Sequence, residues 1–166
     1  MSGPLYHFLA DDHARLDLLL QSAFGHDEID QVAYAHFRAG LLRHIAMEEK
    51  VLLPTAQRLN QGAPLPVAAK LRLDHGALAA LLVPTPTRAI GNTLRVILKA
   101  HNPLEEGPGG LYETCEQLAG PQVDDGLVAE LRAVPEVKLA PNLDGPNVVE
   151  AARRALARAG YALQEE

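Results

Sequence analysis

HIAMEEKVLLP, residues 44–54, decides how this chain is read. Apart from His44, Glu48, Glu49 and Lys50 it is apolar. Apolar residues at helical spacing mark the inner face of a helix, and His44 and Glu48 fall on that face. Residues four apart on a helix lie about 40° apart and one turn along, so both side chains can point at one object. The pair returns as His101 and Glu105 in HNPLEEG, residues 101–107.

Helix punctuation divides the chain around this stretch. Pro4 opens a helix predicted to reach about Phe24, before Gly25. Asp27 caps a second, predicted to run to about Asn60 with a kink at Pro54. Pro64 and Pro66 open a third, which stops before Pro84. Thr85 and Pro86 start a fourth, ending near GPGG at 107–110, and LYETCEQLA follows as a shorter helix that stops at Gly120–Pro121. Strand signals are scarce over these residues. Four long helices joined by short loops run antiparallel to their neighbours, so residues 1–120 are expected to form an all-α, up-down-up-down four-helix bundle. Residues 121–166 are expected to form a C-terminal, mainly helical appendage that can pack on the bundle. Within it, DDGLVAELRAV reads as a capped helix, EVKLAPN as a short strand, and Pro146 to Ala159 as a helix closed by Gly160.

Composition narrows the function classes. With 166 residues and 48% hydrophobic content, the chain is long and apolar enough for one domain with a sizeable core. The net charge is −6 and the 15 basic residues are spread thinly, so nucleic acid is not an expected partner. No apolar run approaches the ~20 residues of a membrane span. The start, MSGPLYHFLADD, lacks the charged and apolar regions of a signal peptide. A single cysteine, Cys115, excludes an internal disulfide and a cysteine-built zinc or iron–sulfur site within one chain. These features set the expectation of a soluble, cytoplasmic protein. They leave the oligomeric state open.

Each expected bundle helix carries one apolar stripe, and a histidine interrupts each stripe. The stripes are Leu9, His13, Leu16, Leu20; Phe37, Leu41, His44, Glu48, Leu52; Leu71, His75, Leu78, Leu82; and Ile90, Leu94, Ile97, His101, Glu105. A buried carboxylate without a partner is costly, and a buried imidazole must find hydrogen bonds. A metal ion answers both demands. Four imidazoles and two carboxylates suit iron, with manganese or zinc as alternatives. Two carboxylates able to bridge favour two ions over one. The rival reading is a metal-free structural or interaction bundle whose histidines are satisfied by hydrogen bonds. Spacing alone does not separate the two, since His7–Asp11, His13–Asp17 and His26–Asp30 share it. Asp17, one turn after His13, is a candidate acceptor for an imidazole. Glu49 and Glu106 follow the inner glutamates by about 100° and are candidates for supporting contacts or for exposure. Tyr112 reads as core packing and Cys115 as a small buried hydrophobe.

DDHARLD, HIAMEEKVLLP, LDHGALAALL and HNPLEEGPGGLY together resemble the haemerythrin-like (HHE cation-binding) family, over about residues 5–119. The resemblance implies a four-helix bundle around a non-haem di-iron centre. Members of that family bind dioxygen, sense or detoxify oxygen or nitric oxide, handle iron, or repair damaged iron centres. Carried over by position, it implies His13, His44, Glu48, His75, His101 and Glu105 as ligands of two irons, with the glutamates bridging. The family's oxygen carriers use five histidines, two of them four apart on the third helix. Here Leu71 stands four before His75. His7 or His36, a carboxylate such as Glu49, or water is then the candidate for the missing ligand. The expectation moves from reversible oxygen carriage to binding of dioxygen or nitric oxide for sensing, storage or protection. A di-iron oxidase or peroxidase-like enzyme is the alternative. Pro103 and GPGG interrupt the fourth helix beside Glu105, which makes that ligand's placement the most demanding.

Overall fold

The structure, a computed structural model, describes residues 2–166 apart from the side chains of residues 122–124. Among the described residues the regular structure is all helical, with no strand. Helix α1, Pro4–Phe24, has proline in its first turn, where no backbone donor is lost to the helix. Helix α2, Gln31–Met47, is capped by Asp30, whose carboxylate accepts from the N–H groups of Val32 and Ala33 at 3.0 Å each. The expected cap, Asp27, lies in the preceding loop, because Asp30 is the acid within reach of the first turn.

The expected second helix is not one continuous α-helix. After Met47 the chain makes a π-helical turn, Glu48–Leu52, before α3, Leu53–Leu59. In that turn the Leu53 N–H bonds to the Glu48 carbonyl, one residue further back than in an α-helix. Pro54, expected to kink the helix, falls instead in the first turn of α3, where its missing N–H does least harm.

Helix α4 is Ala68–Leu81, and α5 is Arg88–Glu106, capped by Thr87 rather than begun at Thr85–Pro86. Helix α6, Leu111–Arg132, runs past its expected stop. Only Gly120 leaves helical dihedrals, at φ 73°, and the helix resumes from Pro121. A proline at the start of a new turn permits a kink as readily as an ending. The expected cap of the helix at DDGLVAELRAV involves Asp124 and lies outside the described side chains. Helix α7, Pro146–Ala159, ends at Gly160 in the left-handed region at φ 91°, where glycine carries no Cβ penalty.

EVKLAPN, expected as a strand, is irregular. Its polar groups find other partners. The Arg38 Nη1 donates to the Ala140 carbonyl at 2.7 Å, and the Asn142 amide donates to the carbonyls of Val83 and Pro84. Leu143 N–H bonds to the Val83 carbonyl at 3.0 Å.

Packing positions one polar layer between two apolar clusters. One cluster gathers Leu16, Leu20, Phe37, Leu41, Leu78, Leu94 and Ile97, with Leu156 of α7. The other gathers Leu5, Leu9, Met47, Leu52, Leu71 and the α6 residues Leu111, Tyr112, Leu127 and Leu131. Burial of each such side chain contributes roughly 1.5–3 kcal/mol. On α1, Leu9 belongs to one cluster and Leu16 to the other, and His13 sits between. The same happens at His44 on α2, His75 on α4 and His101 on α5. Gly40 allows α1 and α2 to approach beside this layer, since a Cβ there would come within 2.7 Å of Leu16 Cδ2. Among the described residues, no helix is long and apolar enough to cross a membrane.

Candidate metal centre

Four helices and the π turn supply side chains to the polar layer. These are His13 from α1, His44 from α2, Glu48 from the π turn, His75 from α4, and His101 and Glu105 from α5. All six are buried, and Glu48 and Glu105 are 0% exposed. Glu105 reaches the layer although Pro103 lies in the same helix. The ligating atoms fall into two overlapping groups: His13, His44, Glu48 and Glu105, and Glu48, His75, His101 and Glu105. Within each group they lie within 4.8 Å of one another, so each group is placed to hold a metal ion. The two glutamates belong to both groups, the position a bridging carboxylate needs.

Every one of the four imidazoles gives its outer nitrogen to a carboxylate. The Nδ1 of His13 is 3.1 Å from Glu106 Oε2, and that of His44 is 2.8 Å from Asp12 Oδ2. The Nδ1 of His75 is 2.7 Å from Glu49 Oε1, and that of His101 is 3.0 Å from Asp74 Oδ2. An Nδ1–H donating outward fixes the tautomer and leaves the Nε2 lone pair facing in, which is how protein imidazoles are held for a metal. Glu49 and Glu106, read from sequence as either supporting or exposed, make two of these contacts. Asp12 and Asp74 make the others and were not anticipated. Their signal was in the sequence, since each directly precedes a cluster histidine as Asp-His.

The inner atoms are under-satisfied. His75 Nε2 lies 3.0 Å from Glu48 Oε2, but the two are not aligned as a hydrogen bond. His101 Nε2 and Glu105 Oε1 are in close contact. Glu48 Oε2, Glu105 Oε1 and His75 Nε2 are buried without a hydrogen-bond partner. Such orphaned atoms are expensive, and a cation would satisfy all three. The donor set, imidazole nitrogen with carboxylate oxygen, fits iron, manganese or zinc.

Electrostatics follow from this crowding. Burial opposes the charge on His44, but Glu48, the Asp12 hydrogen bond and Glu105 outweigh it and push its pKa up to about 10. His75 and His101 rise to about 9 against the same burial, through Glu48 and Glu49 for one and Asp74 and Glu105 for the other. Against burial, the same pairing holds Asp12 and Asp74 below the usual carboxylate range. Hydrogen bonding to His75 does so for Glu49. Burial and the neighbouring Glu48 charge push Glu105 up.

Tyr112, read from sequence as packing, places its hydroxyl inside the first group. It stands 2.7 Å from Glu48 Oε1, 3.0 Å from Glu105 Oε2, 3.1 Å from His13 Nε2 and 3.2 Å from His44 Nε2. A buried phenol needs a polar partner, and that was the available signal.

Three expected contributors stand elsewhere. Asp17 touches no imidazole; exposed, it accepts from the Gln21 side-chain amide at 2.7 Å. His7 is exposed and edges against the Tyr6 ring. His36 is exposed and lines a cleft with Arg15 and Arg43. Neither histidine joins the cluster, because neither lies on a buried stripe.

A small cavity of about 30 Å³ adjoins the layer. It is lined by the four imidazoles and Glu48, by Leu16, Leu41, Ile45, Leu78 and Leu98, and by Asp17 and Asn102. That is room for a molecule of about the size of water. No protein-family model, curated protein or solved structure matches the chain.

Proposed function

We propose that this chain is a non-haem di-iron protein of haemerythrin type that binds dioxygen or nitric oxide for sensing, storage or protection. In this reading α1, α2 with α3, α4 and α5 are the four helices of an up-down-up-down bundle, and α6 and α7 are additions packed on it. The observation that carries it is the pair of overlapping histidine–glutamate groups, buried, with Glu48 Oε2, Glu105 Oε1 and His75 Nε2 left without partners. A structural bundle gains nothing from setting two buried carboxylates among four imidazoles, since well-packed apolar groups in their place are often neutral or stabilising.

His13 and His44 would hold one ion, His75 and His101 the other, and Glu48 and Glu105 would bridge them and balance charge. Bound iron would supply affinity for a small gas and the means to change oxidation state; manganese and zinc are the alternatives. The chain's own part is positional. The outer carboxylates orient the imidazoles, and the small cavity beside them leaves room for a small guest next to the layer.

Metal analysis with optical spectra tests this, on protein reduced without oxygen and then exposed to air. The expected result is two irons per chain and an oxygen- or nitric oxide-dependent band in the near ultraviolet and visible. Absence of bound metal after reconstitution, with stability unchanged by iron, manganese or zinc, would overturn the proposal.

A further inference from the structure

The four outer carboxylates follow an order that ligand orientation alone does not require. Each is next in sequence to a cluster residue and pairs with the histidine of another helix. Asp12, before His13 on α1, accepts from His44 on α2. Glu49, after Glu48, accepts from His75 on α4. Asp74, before His75, accepts from His101 on α5. Glu106, after Glu105, accepts from His13 on α1. The ring therefore closes on itself. Beneath it lies a repeat: Asp-His on α1 and again on α4, then His-x-x-x-Glu-Glu at residues 44–49 and again at 101–106.

Charge gives the ring a consequence. Two inner glutamates and four outer carboxylates place six negative charges in one layer around two ion positions. Two divalent ions fall short of those carboxylates taken alone, and each carboxylate left unbalanced favours the higher charge on the ion beside it. Three of the outer acids also meet a basic side chain: Arg15 on Asp12 at 2.9 Å, Arg72 on Glu49 at 3.4 Å and Lys70 on Asp74 at 2.6 Å. Those cations are 50%, 42% and 42% exposed, and Glu49 and Glu106 are 31% and 34% exposed. Water therefore screens both signs at the rim, and the buried imidazoles feel chiefly Asp12 and Asp74. Each Nδ1–H···carboxylate bond also makes its imidazole a more basic ligand, which favours the more highly charged ion.

We propose that Asp12, Glu49, Asp74 and Glu106 form a ring that biases both metal ions of the centre towards the trivalent state. They are positioning residues that act through the imidazoles and set a low reduction potential. This rests on the metal reading above and adds a direction to it: a centre so biased is poorly suited to reversible oxygen carriage, which needs a stable divalent resting state.

The test is a redox titration of the iron-loaded protein, read optically and by electron paramagnetic resonance. Asp12→Asn, Glu49→Gln, Asp74→Asn and Glu106→Gln are compared with the parent. Every variant is expected to titrate at a higher potential, Asp74→Asn most because Asp74 is 0% exposed. Iron affinity is expected to fall roughly 10–100-fold for each change. Glu49 and Glu106 are about a third exposed, so their glutamine variants keep the test available if an aspartate variant fails to fold. Variants that load two irons and titrate at the parent potential would overturn the ring while sparing the metal reading. A parent chain that binds no iron would overturn both.

Discussion

The α1–α2 half of the cluster and the α4–α5 half present the same residues in the same order, yet they differ in what lies on them. His13 and His44 both face the Tyr112 hydroxyl, at 3.1 and 3.2 Å. His75 and His101 have no phenol, and His75 Nε2 has no hydrogen-bond partner at all. The imidazole centroids are 4.6 Å apart in the first half and 5.0 Å in the second. The likeness comes from a local pattern repeated along the chain. The difference comes from α6, which stands outside the repeat and packs its first turn against the end of the layer. Two histidine–glutamate groups built by one sequence pattern are thus made unequal by a helix that belongs to neither half.

The largest effect is expected from removing what the halves share. His44→Leu combined with Glu48→Leu takes one imidazole from the first half and one carboxylate from both. Both ions should be lost, and added iron should no longer raise the unfolding midpoint. The metal-free variant should match the metal-free parent or exceed it by about 1–4 kcal/mol, as replacement of buried charged groups by apolar ones often does. His75→Leu alone gives the contrast, with loss confined to the second position. Retention of two irons by the double variant, measured by metal analysis, would break the idea that the halves share a glutamate.

The pH dependence of stability should reverse sign between the metal-free and loaded forms. In the metal-free protein His44 titrates at about 10, and His75 and His101 at about 9, each raised from an ordinary 6.5. A raised histidine contributes stability in full below 6.5 and loses it as pH climbs through 9 to 10. Glu105, also raised, acts in the same sense from the ordinary carboxylate range upward. Asp12, Glu49 and Asp74 are lowered, so their contribution is present above the ordinary carboxylate range and fades as pH falls through the lowered values. Between pH 6.5 and 9 the metal-free form should therefore weaken. The loaded form should gain over the same range, because ions compete with protons for the imidazoles. Urea unfolding of both forms across that window decides the matter, and parallel slopes would count against metal at the layer.

Much of this arrangement was legible in the chain. Proline and glycine punctuation placed most helices, and the interrupted stripes put His13, His44, Glu48, His75, His101 and Glu105 on inner faces. What escaped shares one cause, dependence on a neighbouring element. Asp12 and Asp74 sit about 100° round the helix from their adjacent histidines, off the stripe, and acquire meaning only from the next helix. EVKLAPN has the short apolar pattern of a strand, but a strand needs a partner, and here Arg38 and the loop around Val83 take its place. The π turn at Glu48–Leu52 lies where Pro54 had suggested a simple kink. Asp17, His7 and His36 carry the right chemistry without a buried stripe beneath them.

Tyr112→Phe gives the smallest and most selective test of the inequality between the halves. The hydroxyl has one proton, which it donates to Glu48 Oε1 or to Glu105 Oε2, and it can accept from the Nε2–H of His44 while that imidazole is charged in the metal-free protein. In metal-free protein its removal leaves a buried carboxylate oxygen short of a donor, and the expected loss is about 1–3 kcal/mol by urea unfolding. In loaded protein the ions hold those carboxylates, so the loss should shrink. Its spectroscopic trace should then be confined to the ion held by His13 and His44, with the ion at His75 and His101 little changed. An equal loss in both forms would make Tyr112 an ordinary buried residue of the apolar cluster around Leu9 and Leu111. Equal perturbation of both ions would show that the phenol acts through the shared glutamates, and that the two halves are closer to equivalent than their contacts suggest.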